Sequence, residues 1–147
     1  MAAFDANAGG RLGHAGTFNN NVVSMAAGVA TLTDVLTPDM LAATNARGER
    51  LRSELNAVFT RHGGPMCATG AGSLMNLHAT PGPVSNVDDL RSADDRWKEL
   101  LFFAALEAGF SLARRGFIAL SIEITDDDIA AFVEFVDRWA RAITPGV

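Results

Sequence analysis

Lysine is almost missing from this chain. Eleven of its twelve basic residues are arginine, so Lys98 is the one lysine available to any chemistry that needs such an amine. Cysteine is nearly as scarce. The single Cys67 excludes an internal disulfide framework and fits a reducing compartment. There is no run of Lys or Arg, and the formal charge of -5 leaves no electrostatic footprint for nucleic acid or an anionic bilayer. No apolar run reaches the length of a transmembrane helix, and the opening "MAAFDANAGGRLG" lacks the charged and apolar regions of a signal peptide, so a cytoplasmic location is expected. Internal repeats and low-complexity segments are also missing. What remains is an ordinary globular composition, 48% hydrophobic and 20% charged over 147 residues, enough for one core of moderate size in a single compact unit.

The order of elements can be read from periodicity and punctuation. Residues 1–18 are Gly-rich and aperiodic, which reads as loop or as the tail of something larger. From Asn21, Val22, Met25, Val29, Leu32 and Leu36 recur at helical spacing, and Ser24, Ala27, Gly28 and Thr31 make a small-residue face that admits close approach. That pattern predicts a largely buried helix. Thr37-Pro38-Asp39 starts a second one: hydroxyl cap, proline at the first helical position, acid in the first turn. Its inward stripe is Leu41, Leu51, Leu55 and Val58, and Gly63 supplies a left-handed C-terminal stop. "MCATG" and "SLMNLHA" then read as two strands, or as one broken at Gly70-Ala71-Gly72. A third helix from Asp94 carries Trp97, Leu101, Ala104 and Ala108 inward and ends at Gly109. The clearest strand pattern follows, Ile118, Leu120, Ile122 and Ile124 alternating with small or polar residues. Thr125 and Asp128 form a capping box for the last helix, which turns Ile129, Phe132, Val133 and Val136 inward. This order defines an α+β fold, a small mixed or antiparallel sheet with helices packed on one side.

Few residues suggest chemistry. His14, His62, His78 and Cys67 are the soft-ligand candidates, but no two have metal-binding spacing, and each reads more simply as a loop, helix-end or strand residue. "GAGSL" around Ser73 is not a nucleophile elbow. The acidic pairs and triplet at residues 88–89, 94–95 and 126–128 sit at helix starts, where they stabilise the dipole. Two stretches resist that treatment. Arg114-Arg115-Gly116 interrupts an apolar run, and reads either as a solvated turn or as a guanidinium aimed at a carboxylate. "HAGTFNNN" leads into the first helix. It is either an asparagine cap with a local turn at Thr17, or an anion cradle in which Gly16 admits the backbone and Thr17 donates hydroxyl and N–H.

Four segments resemble a known family. "HAGTFNNNVVSMAAGVATL", "TGAGSLMNLH", "DLRSADDRWKELLFFAALEAGF" and "RRGFIALSIEITDDDIAAFVEFV" are similar, in the same order, to the C-terminal third of class III aminotransferases. These are fold-type-I enzymes dependent on pyridoxal 5'-phosphate. "GTFNNN" with "RRGFIALS" resembles the β-amino-acid (β-phenylalanine type) branch more than the glutamate-1-semialdehyde 2,1-aminomutases. The resemblance implies residues 1–18 as the tail of a large domain, 19–37 as an inter-domain helix, and 38–147 as the small C-terminal domain.

It also implies roles. Gly16 and Thr17 would reach the cofactor phosphate of a neighbouring subunit in a homodimer, with Phe18 beside them, and Arg115 would bind a carboxylate of the amino acid or keto acid. The Schiff-base lysine, the ring-stacking aromatic and the aspartate at the pyridine nitrogen belong upstream of the Gly-Thr segment, where this sequence has no matching positions. Lys98 lies on a helix whose family counterpart carries no catalytic residue. The expectation is thus a fragment, split product or truncated form that is inactive alone and lacks its N-terminal region. Transamination or intramolecular amino exchange would be the reaction of the whole. A different class of reading, a non-catalytic α+β dimerisation or binding module, makes both the loop and the arginine structural.

Overall fold

The computed structural model describes residues 16–18 and 21–144. Composition suggested one compact unit, but the chain divides into two, one ending at Thr37 and one beginning at Pro38. The first contains helix α1, Val22–Ala30, which continues into a π-helical turn over Thr31–Val35, closed by the Leu36 N–H donating to the Thr31 carbonyl at 2.8 Å. Asn21 caps α1: its side-chain oxygen accepts from the Ser24 N–H at 3.1 Å. The expectation of burial fails here. Every residue of α1 is exposed, Val22 at 79% and Val29 at 64%, so the apolar stripe and the small-residue face both lie uncovered. No residue of α1 joins the core, which is why this segment separates as its own unit.

The second unit is an α+β layer. Helix α2 spans Pro38–Arg61, strand β1 Cys67–Ala71, β2 Leu74–His78, helix α3 Arg96–Glu107, β3 Phe117–Ala119 and helix α4 Asp126–Ile143. The sheet has order β1-β2-β3 and is antiparallel throughout, with Thr69 opposite Asn76 and Met75 opposite Ile118. Strand alternation puts Ala68, Met75 and Leu77 into the core and Cys67, Thr69, Asn76 and His78 on the other face. Leu51, Leu55, Val58 and Phe59 of α2 meet Leu101 and Ala105 of α3 and Ile129, Val136 and Trp139 of α4 in one continuous core. Leu41, placed on the inward stripe by periodicity, is exposed instead; burial along α2 begins only at Thr44.

The C-terminal end of α2 and the N-terminal end of α4 follow their sequence signals. After α2 the Gly64 N–H donates to the Phe59 carbonyl and the Gly63 N–H to that of Thr60, the paired bonds of a Schellman stop. The capping box of α4 is complete, Asp128 N–H to Thr125 Oγ1 at 3.1 Å and Thr125 N–H to Asp128 Oδ2 at 2.8 Å. Thr125→Ala should therefore lower stability by about 1 kcal/mol. A urea midpoint unchanged by that substitution would show that the box is incidental.

Two expectations need correcting. The alternating run from Ile118 to Ile124 forms a strand only to Ala119, because β2 begins at Leu74, the partner of Ala119, and beyond it the Leu120 N–H finds just the Ser73 carbonyl of the hairpin turn. With no strand left to pair, residues 121–124 turn into the α4 cap. In α3 the inward residue is Ala105, not Ala108, which is exposed; Leu101 and Ala105 stand one turn apart, while Trp97 and Ala104 are half-buried against the core.

Candidate functional site

The Arg114-Arg115-Gly116 turn is fixed by its glycine. Gly116 is buried with φ of +90°, its carbonyl accepts from the Leu77 N–H at 2.9 Å, and a Cβ there would stand 2.6 Å from the Leu77 carbonyl oxygen. The sheet thus pins one end of the turn and leaves the two arginines exposed at its rim. They differ in partners. Arg114 is ion-paired with Glu99 of α3 and lies over the Phe103 ring. Arg115 has no carboxylate partner among the described residues, and its guanidinium carbon stands 5.9 Å from the centroid of the Phe117 ring. A planar cation held over an aromatic face keeps its in-plane N–H donors for another ligand.

Lys98 comes to the same place. It lines, with Asp95, Glu99, Ala113, Arg114 and Arg115, a surface cavity of about 420 Å³. Its stem packs near Gly116, only 16% of its side chain is exposed, and its ammonium is 2.7 Å from Asp95 Oδ1. Asp95 and Lys98 are three residues apart at the start of α3, a spacing that brings side chains together on a helical turn. The Glu99–Arg114 pair has no such local origin, because it joins residues of different elements fifteen apart.

The other candidates have structural partners. His62 Nε2 lies 3.0 Å from Asp137 Oδ1, which also accepts from Arg61 at 2.6 Å; the His62 hydrogen bond is the main cause holding the Asp137 carboxyl below its usual range. His78 Nε2 is 2.7 Å from Thr69 Oγ1, and burial, followed by the charge of Lys98, pushes its imidazole down. Burial pushes the Cys67 thiol up, so Cys67 is a poor nucleophile. No cluster of three or more possible metal ligands occurs among the described residues, and His14 lies outside them. No described helix is long and apolar enough to cross a membrane.

Gly16, Thr17 and Phe18 belong to the first unit, and all three are exposed, Phe18 at 75%. The Phe18 carbonyl accepts from the Asn21 N–H at 3.0 Å, closing a turn just before α1. Because the Asn21 side chain already occupies the Ser24 N–H, the asparagine has the capping role. The exposed Gly16-Thr17 pair keeps the anion candidacy: a hydroxyl and backbone N–H groups beside a glycine, a donor set that fits a phosphate.

No protein-family model matches the chain. Over 143 residues it is 47% identical to a β-phenylalanine transaminase of Variovorax paradoxus, an alignment that covers 97% of this chain and 31% of the relative. It is 33% identical over 133 residues to a glutamate-1-semialdehyde 2,1-aminomutase of Desulfosudis oleivorans, covering 90% of the chain and 30% of that protein. Among solved structures, the β-phenylalanine aminotransferase of Variovorax paradoxus superposes with a TM-score of 0.86 at 44% identity over 97% of this chain and 33% of its own. An ω-transaminase from Sphaerobacter thermophilus gives 0.75 at 27% identity, over 99% of this chain and 34% of its own. The fold is that of the smaller part of a pyridoxal-phosphate aminotransferase. The chain is a homologue of the class III aminotransferases, corresponding to their C-terminal region and spanning about a third of the length of the relatives it matches.

Proposed function

We propose that this chain is the C-terminal part of a pyridoxal-phosphate-dependent aminotransferase that moves an amino group between a β-amino acid and a keto acid. The observation that carries the reading is Arg115: a guanidinium with no carboxylate partner among the described residues, set on a glycine-pinned turn over Phe117, in a chain 47% identical to a β-phenylalanine transaminase. The domain reading goes with it: residues 1–18 as the tail of a large domain, 19–37 as a connecting helix, and 38–147 as the small domain.

Each residue then has a task. Gly16 lets the backbone approach the cofactor phosphate of a second subunit, and Thr17 donates its hydroxyl and N–H to the phosphate oxygens. Phe18 lies beside them. Arg115 grips the substrate carboxylate through two parallel N–H donors, a geometry that orients the amino group as well as binding the acid. Bound pyridoxal phosphate supplies the electron sink for the amino transfer. The alternative within the family, amino exchange of the glutamate-1-semialdehyde type, is supported by the aminomutase relative at 33% identity. Substrate assays separate the two.

Lys98 is not the covalent anchor of the cofactor in this reading. Its amine is engaged by Asp95 at 2.7 Å and its side chain is mostly buried, so it is not presented to an aldehyde. The chain alone is therefore expected to be inactive. Incubation with pyridoxal phosphate followed by borohydride reduction should leave Lys98 unmodified by mass spectrometry. Stoichiometric labelling at Lys98 would overturn that assignment. The activity itself is tested in a chimera in which this chain replaces the matched region of the Variovorax paradoxus transaminase. Amino transfer from a β-amino acid supports the proposal, and a folded chimera that only exchanges the amino group of glutamate-1-semialdehyde would replace it with the aminomutase reading.

A further inference from the structure

The cavity beside the arginine turn is lined by three cationic side chains and two carboxylates, yet one of the cations has no carboxylate partner among the described residues. Asp95 takes Lys98 at 2.7 Å, and Glu99 takes Arg114. Arg115 stands apart from both, over Phe117. Resting on the reading of Arg115 as the carboxylate clamp, we propose that Glu99 is a specificity-determining residue. By neutralising Arg114 it leaves the cavity one effective positive charge, so the cavity accepts a single carboxylate and gains nothing from a second.

The chemistry follows from adjacency. Arg114 and Arg115 are consecutive residues at the rim of one cavity, so a short dicarboxylate held by Arg115 would carry its other end near Arg114. With Glu99 in place, that second carboxylate must compete with an ion pair already formed, and it meets Glu99 as a like charge. A monocarboxylate carries neither penalty. Selection here comes from a repulsive element as much as from the attractive clamp. Lys98 does not substitute for Arg114, because its stem is packed near Gly116 and its ammonium is occupied by Asp95.

The test uses this chain labelled with 13C-arginine, with the Cζ resonances of Arg114 and Arg115 followed at neutral pH while propionate or succinate is added. In the unmodified chain both anions should shift Arg115. Succinate should bind more tightly by only about twofold, the statistical factor of its two ends. In Glu99→Gln the succinate preference should rise by a further three- to fivefold or so, the upper range for an exposed ion pair, and succinate should now also shift Arg114. Glu99→Gln with Arg114→Gln should return the preference to its starting value. Glu99 is half-buried with 43% of its side chain open to solvent, so its isosteric amide variant keeps the fold, and an unchanged preference in Glu99→Gln overturns the proposal while leaving the Arg115 clamp intact. A marked succinate preference already present in the unmodified chain overturns it too. If neither anion shifts Arg115, the clamp itself fails, and the proposal with it.

Discussion

Gly48→Ala should lower the stability of the second unit by roughly 2–4 kcal/mol, although alanine is the better helix former by about 1 kcal/mol. The reason is the seat of the β1–β2 hairpin on α2. A Cβ at Gly48 would overlap the Gly72 carbonyl oxygen and lie 2.8 Å from Ser73 Cα, both backbone atoms that cannot swing aside. Two side chains of α2 hold the same turn from either side: Glu49 Oε1 accepts from the Gly72 N–H at 2.7 Å, and Asn45 Oδ1 from the Ser73 N–H at 3.0 Å. Relieving the overlap moves the turn away from both acceptors. The Gly72 hydrogen bond, with Arg52 beside it, is also what holds the Glu49 carboxyl below its usual range. Urea unfolding should show a lower midpoint with an unchanged slope, since the surface exposed on unfolding is the same. A variant as stable as the parent, or more stable by the propensity gain alone, would mean that the hairpin does not sit on the helix as described.

Arg115→Gln, introduced into the chimera, should reduce kcat/KM for a β-amino acid by about 10–100-fold, the range for losing a charge-assisted clamp on a carboxylate. Cofactor affinity should be unaffected, because the phosphate is assigned to Gly16 and Thr17. Arg115→Lys should recover little, since an ammonium keeps the charge but not the two parallel donors. Arg114→Gln is the internal control. Arg114 is already paired with Glu99 on an exposed surface, so its loss should change kcat/KM by about fivefold at most. Equal losses at the two positions would show that the cavity reads charge alone, and the bidentate assignment would fall.

The sequence was informative where the cause is local. The Schellman stop at Gly63, the Asn21 cap and the Thr125–Asp128 box each rest on residues within about one helical turn, and each is found as the pattern indicates. The α+β class was legible for the same reason: strand and helix periods are short-range, and the sheet is antiparallel as one of the two expected arrangements. Errors came where the outcome depends on a distant partner. Ile122 and Ile124 alternate as a strand should, but a strand also needs a neighbour, and β2 begins at Leu74. Val22, Met25 and Val29 have the spacing of a buried stripe, but burial needs a covering element, and none of the described residues of α1 is buried. The candidate site divides in the same way. The Arg114-Arg115-Gly116 turn stood out by interrupting an apolar run, and only the family resemblance singled out Arg115 within it, whereas the pairing of Arg114 with Glu99, which distinguishes the two arginines, depends on the tertiary packing of α3 beside the turn.

The most direct test of the phosphate assignment, and with it of the chain as part of an aminotransferase site, is cofactor affinity in the chimera with Thr17→Ala. Loss of the hydroxyl should weaken pyridoxal-phosphate binding by about 10–100-fold, equivalent to about 1.5–3 kcal/mol for a hydrogen bond to a charged group. Arg115→Gln measured alongside should leave that affinity unchanged. A folded, dimeric chimera whose cofactor affinity is the same with threonine or alanine at position 17 would contradict the account.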